Sequence, residues 1–169
     1  ILFIACYSSY TKAFTYIHEM TEKQLQQQAD TMMPLKRTKF FVTATLSEPI
    51  IDLREATNDI SLTANVKAKT LGNLSGDGKV SFSGFLRYEK EQGSFYFDNL
   101  KMEHLEISNV PAELLPNIKA ILEVAAQKVL SATPIYTFDK NNTQHQLAKS
   151  SLTSMQIEND TLLVTFDLF

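Results

Sequence analysis

Pro111–Ala132, PAELLPNIKAILEVAAQKVLSA, is the longest run of this chain with an unbroken helical period. Leu114, Leu115, Ile118, Ile121, Leu122, Ala125 and Val129 recur at steps of three and four, while Lys119, Glu123, Gln127 and Lys128 form a narrow polar edge. Such a stripe has to be covered by the rest of the chain. At 1.5 Å per residue the run spans about 33 Å, enough to cross a small domain. Pro116 has no N–H to donate and its ring clashes with the carbonyl four residues back, so an irregular first turn is expected. Both flanks read as strand. The expected architecture is therefore α+β, a strongly curved antiparallel sheet wrapped around one long helix, with a short N-terminal helix ahead of it.

The short helix is announced by Thr21 and Gln24, which have the spacing of a capping box, each side chain satisfying an orphan N–H of the first turn. Leu25, Ala29, Met32 and Met33 fall on one face, and Pro34 ends the helix. Phe14 to Ile17, just before it, reads as a short strand. From Lys39 to Asp98 the period changes to two. Ile60, Leu62, Ala64, Val66 and Ala68 alternate with polar residues, as in a strand with one buried and one wet face. Val80, Phe82, Leu86 and Tyr88 continue the pattern, and the polar stretch from Glu89 to Gly93 reads as a hairpin loop before Phe95 and Phe97. Between Phe95 and Ile107 the apolar set slips from odd to even positions and back, which implies bulges; Pro49 and Gly84 add further points of curvature. Ile135 to Phe138 reads as a strand. Met155 and Ile157, a turn at Asn159-Asp160, and Leu162, Val164, Phe166 and Leu168 make a final hairpin.

With 169 residues, 44% of them apolar, the chain has the size of one domain with one core. The formal charge is −3, and only Lys36, Arg37 and Lys39 are bunched among the basic residues, so a nucleic-acid surface is not expected. Cys6 is the single cysteine, which excludes an internal disulfide. It closes the apolar run Ile1-Leu2-Phe3-Ile4-Ala5 and is followed by the polar Tyr7-Ser8-Ser9-Tyr10-Thr11. Phe3-Ile4-Ala5-Cys6 resembles a bacterial lipobox, whose cysteine becomes the acylated first residue of a lipoprotein, with Phe3 where leucine is usual. A buried free cysteine in a short strand is the other reading of the same residues. The expected organisation is a signal-peptide remnant and lipobox over 1–6, a tether over 7–13 and a single domain over 14–169. No other segment approaches the roughly 20 apolar residues of a membrane span.

Motifs that carry chemistry are not found. His18, His104 and His145 are far apart and lack the spacing of a zinc site. Gly72 to Lys79 has glycines before a lysine, but Asn73 replaces the first glycine of a phosphate loop and Val80 replaces its Ser or Thr, so it reads as a loop between strands. There is no GxSxG elbow, and Asp98, Glu103 and Glu106 are ordinary carboxylates for the wet face of a strand. No catalytic residue, cofactor or metal is expected, and the chain is not read as an enzyme. What remains is apolar surface on the helix and on sheet faces carrying Phe40, Phe82, Tyr88, Phe95 and Phe97. Plain core is the ordinary fate of such residues; an apolar groove between helix and sheet is the alternative.

Met20 to Leu25, Tyr88 to Gly93, Leu114-Leu115-Pro116 and Pro134-Ile135-Tyr136 occur in an order that resembles the YceB-like lipoproteins of Gram-negative bacteria, from about Tyr16 to the C-terminus. That family is itself uncharacterised, and its fold resembles the tubular lipid-binding (TULIP) superfamily, in which a coiled sheet and a long helix enclose acyl chains. The resemblance implies a lipid-anchored periplasmic module that binds a lipid or other long apolar ligand. Its groove would be lined by Leu115, Ile118, Leu122, Ala125, Val129, Phe82, Phe95 and Phe97. Cys6 would be the lipidation site, and because Tyr7 is not the aspartate that retains lipoproteins in the inner membrane, the outer membrane is the expected location. The competing expectation is a structural or protein-interaction lipoprotein with a fully packed interior.

Overall fold

Ile60, Leu62, Ala64, Val66 and Ala68 are each at most 2% exposed, so β4 (Asp59–Thr70) turns one face wholly inward, as its alternation requires. The computed structural model of the protein describes residues 14–142 and 151–167. β4 lies inside a six-stranded antiparallel sheet with β2 (Leu35–Lys39), β3 (Val42–Arg54), β5 (Ser75–Glu89), β6 (Ser94–Ile107) and β7 (Tyr136–Thr137), in the order β2-β3-β4-β5-β6-β7. Leu46 on β3, Val80 and Phe82 on β5, and Phe95 and Phe97 on β6 extend the buried set across the sheet.

A second sheet of three strands, β1 (Thr15–Thr21), β9 (Thr161–Asp167) and β8 (Ser151–Glu158), has the order β1-β9-β8 and joins the first and last parts of the described chain. Its hairpin turn is Asn159-Asp160, with φ of 49° and 55°, the left-handed pair that matches the twist of two antiparallel strands. The two sheets meet through aromatic rings. Tyr88 lies 5.4 Å from Phe166 and 4.8 Å from Phe95, and Phe138 lies 5.7 Å from Phe166, measured between centroids. Asn58, at the β3–β4 turn, clasps β8 by donating Nδ2–H to the Met155 carbonyl and accepting from the Ile157 N–H.

Two α-helices are present among the described residues. α1 (Glu22–Met32) starts with the capping box: Gln24 N–H donates to Thr21 Oγ1, and Thr21 N–H donates to Gln24 Oε1. It packs on β3 through Leu25, Ala29 and Met32, while Gln26 accepts from the Ile51 N–H and donates to the Pro49 carbonyl. The second helix is α2 (Leu115–Leu130), entered through one 3₁₀ turn at Ala112–Leu114. Pro116 sits in the first turn of α2, where its missing N–H would have had no partner, so the proline starts the helix instead of kinking it.

The wrapped-rod architecture, and with it the tubular arrangement, is not what the chain adopts. Strands hold 57% of the described residues and helices 21%, and neither sheet is curled. α2 has 16 residues, about 24 Å, and packs against β6, β2 and β3. Its buried side is Ile118, Ile121, Leu122, Ala125, Ala126 and Leu130, whereas Leu115 and Val124 stay exposed, so it needs cover on one side only. α1 and the three-stranded sheet contribute the rest of the core, and the six-stranded sheet has no need to close. The bulges are real but local, at Ser47/Ile50 in the β3–β4 pairing and at Ser81/Phe82 and Ser83/Phe85 in the β5–β6 pairing. Three smaller expectations also change. The loop read at Gly72 to Lys79 ends at Leu74, because Ser75 to Lys79 already belong to β5. Ile135 to Phe138 supplies only the two-residue β7. Phe40 is at a hairpin tip and not on a sheet face. Cys6, the tether over 7–13, His145 and Leu168 lie outside the described residues.

Candidate functional site

After Ile107 the chain leaves β6 and is pinned to β5: the backbone N–H and the hydroxyl of Ser108 both donate to the Asp77 carbonyl, each at 3.0 Å. The close approach of the two strands just before this point depends on Gly78, where a Cβ would fall 1.9 Å from the Glu106 carbonyl oxygen. Pro111, with φ of −55°, then directs the chain into the 3₁₀ turn and α2, which returns beside β6. α2 commits Ile118, Leu122 and Ala125 to the core, and a cleft lies between its exposed margin and β6.

The cleft has a volume of about 580 Å³ and is lined by Met102, Glu103, His104 and Leu105 of β6 and by Ala112, Leu115, Pro116 and Lys119. Five of these side chains are apolar. A second hollow of about 390 Å³ continues along the same helix–strand seam, sharing Met102 and adding Leu100, Lys101, Glu123, Val124 and Gln127 around the Phe82 ring. β7 pairs with β6 only at Ser94 and Phe95, so from Tyr96 onward that edge of β6 has no strand partner among the described residues.

Of the polar groups at the cleft, Glu103 is firmly engaged. Arg54 grips Asp59 through Nε and Nη2, at 2.9 and 2.6 Å, and reaches Glu103 through Nη1 and Nη2, at 3.0 and 2.9 Å. The hydrogen bonds from Arg54 hold the Asp59 and Glu103 carboxyls below the usual carboxylate range, and the two carboxylates raise the guanidinium in return. Glu103 is therefore an ionised acceptor held by a cation, a poor candidate for proton transfer. Lys119 lies 3.9 Å from Glu123, and His104 Nε2 lies 3.9 Å from Glu106, both long contacts between exposed groups. Among the described residues no group of three His, Cys, Asp or Glu side chains could hold a metal ion.

The residues expected to line a groove are dispersed. Leu115 stands at the cleft, 36% exposed, and Phe82 borders the second hollow with 1% exposure. Ile118, Leu122 and Ala125 lie beneath the seam in the core, and Val129 is half-buried near the far end of α2. Phe95 and Phe97 are completely buried, Phe95 in the aromatic cluster between the sheets. Met102, Leu105, Ala112 and Pro116 are lining residues that the sequence reading passed over. Their signal was present: the apolar positions slip along β6 where the strand meets the cleft, and Pro111 and Pro116 bracket the turn that forms its end.

Residues 20–161 match a family model described as a protein of unknown function, DUF1439. No curated protein matches the chain.

Proposed function

We propose that this chain, which belongs to the DUF1439 family of proteins of unknown function, holds a lipid or other long apolar ligand in the cleft between α2 and β6. The observation that carries this reading is the cleft itself, whose volume lies in the range of small-molecule sites and whose wall is largely hydrocarbon. Burying each methylene of a chain contributes about 0.8 kcal/mol, so about ten carbons held along Met102, Leu105 and Leu115 would contribute about 8 kcal/mol before the cost of ordering the chain. With Glu103 held by Arg54 and only scattered cations nearby, recognition rests on the apolar chain and depends weakly on the headgroup.

Titration with a fluorescent fatty acid should give saturable binding at one site. Leu115→Glu should abolish it, because a carboxylate in the wall would have to be desolvated beneath the acyl chain. Leu115 is partly exposed, so the variant keeps its fold. Ile118→Glu would be a poor test, since Ile118 is fully buried and the change would attack the core. Binding that Leu115→Glu leaves intact would remove the cleft from the account.

We place the protein in the periplasm, anchored to the outer membrane through an acylated Cys6, on the strength of Phe3-Ile4-Ala5-Cys6. Stable anchoring takes two or more acyl chains, which a processed lipoprotein cysteine carries. Palmitate-analogue labelling of cells should mark the wild type and not Cys6→Ser; label on the variant would refute the anchor. A second reading is a protein-interaction lipoprotein, favoured by the filled core and by the edge of β6, which beyond Phe95 has no strand partner among the described residues.

A further inference from the structure

The β2–β3 hairpin closes on two residues, Phe40 and Phe41, with φ of 50° and 66°. A two-residue hairpin needs left-handed backbone at both positions, and Asn-Gly adopts it most easily. Bulky side chains there are strained. Burial within the chain does not offset that strain, because the two rings are 70% and 74% exposed. The next hairpin also ends in exposed apolar side chains. Leu71 and Leu74 flank the β4–β5 tip and are 71% and 51% exposed. Val42 pairs with Thr70, so Phe41 and Leu71 are the first residues beyond that pair and the two tips emerge side by side at one end of the sheet.

This apolar end wears a basic collar. Lys36, Arg37 and Lys39 lead along β2 into the first tip, and Lys67 and Lys69 lead along β4 into the second. The Lys39 ammonium lies 5.0 Å from the centroid of the Phe40 ring. Asp77, 3.4 Å from Lys67, offsets only part of this charge. In a chain of net charge −3, five of the sixteen Lys and Arg residues thus lie beside its most exposed apolar side chains. Apolar tips that enter the boundary between headgroups and acyl chains, with Lys and Arg at the phosphates, are the requirements of interfacial binding to an anionic leaflet.

We propose that the β2–β3 and β4–β5 tips dock the protein on an anionic phospholipid surface, with Phe40, Phe41, Leu71 and Leu74 inserted and the basic collar facing the phosphates. Two projecting tips are a poor match to a protein partner, since a stable protein interface buries about 800 Å² on each side. The proposal does not depend on the cleft. If both hold, docking presents the end of the cleft near Leu105 and Ala112 to the bilayer, because Ile107 pairs with Gly78 at this same end of the sheet.

The chain has no tryptophan, so a single one reports its own surroundings. In the full unacylated chain carrying Cys6→Ser, Phe41→Trp should shift to the blue on phosphatidylglycerol vesicles and be quenched by brominated acyl chains. Phe85→Trp, at an exposed position towards the other end of β5, should show neither change. Phe40→Asn/Phe41→Gly should lower vesicle partitioning by about tenfold or more, since it removes two aromatic side chains of buried apolar area. The same variant should melt no lower than its parent, because it installs the residues that the turn prefers. Raised salt and phosphatidylcholine vesicles should both weaken binding. Equal quenching at positions 41 and 85, or unchanged partitioning of the double variant, would overturn the docking surface. Equal binding to neutral and anionic vesicles would overturn its charge selectivity, and no partitioning at all would leave a protein partner as the occupant of the tips.

Discussion

Replacing Phe95 by alanine is expected to lower the stability of this protein by about 3–5 kcal/mol, the usual loss for a buried aromatic side chain. For a domain of this size that corresponds to a fall in melting temperature of about 6–20 °C. Phe95 is fully buried, and its ring lies 4.8 Å from Tyr88, 5.6 Å from Phe138 and 6.2 Å from Tyr136. Tyr88 and Phe138 in turn contact Phe166 of the three-stranded sheet, so the cavity would open where the two sheets are joined. The backbone bond from Ile135 N–H to the Phe95 carbonyl, 2.8 Å, survives the substitution and isolates the effect of the ring. Urea unfolding measures the loss. A change below about 1 kcal/mol would mean that the aromatic cluster does not hold the sheets together.

The second large effect is expected at Leu122, which is 1% exposed beneath the α2–β6 seam. Leu122→Ala should cost about 2–5 kcal/mol if its surroundings are tightly packed. Leu115→Ala, at the partly exposed cleft wall, should cost much less while weakening ligand binding. This pair separates core from site: the same chemical change in one helix acts on stability at one position and on affinity at the other. A small loss at Leu122, together with weak hydrogen-exchange protection of the Ile118–Ala126 amides, would show that the helix packs loosely and that the cleft extends under it.

Local chemistry was legible in the sequence wherever a short segment decides its own conformation. Thr21 and Gln24 form their capping box, and the alternation from Ile60 to Ala68 gives a one-faced strand. Asn159-Asp160 makes its turn, and Pro116 marks an irregular helix start. The arrangement of layers was not legible, because it depends on pairings distant in sequence. β1 reaches β9 by joining Thr15 to Asp167, and the three-stranded sheet formed in this way covers core that a curled sheet would otherwise have had to enclose. The stripe of α2 announced that one side would be buried, but periodicity says nothing about what buries it. The same gap explains the site. Ile118 and Leu122 are the most regular positions of the stripe and for that reason became core, while the cleft fell to Met102, Leu105, Ala112 and Pro116, at the ends of elements and beside a slip in register. Phe40-Phe41 could not be read as a turn, since neither residue favours left-handed backbone.

The claim at the centre of this account is that an acyl chain lies between α2 and β6. Cross-linking with a fatty acid that carries a photoreactive diazirine on its chain, followed by peptide mass spectrometry, tests it most directly. The account predicts adducts confined to the segments 102–105 and 112–119, competed away by unlabelled fatty acid and absent from Leu115→Glu. Adducts concentrated at Phe40-Phe41 and Leu71, or spread over the surface without competition, would contradict it.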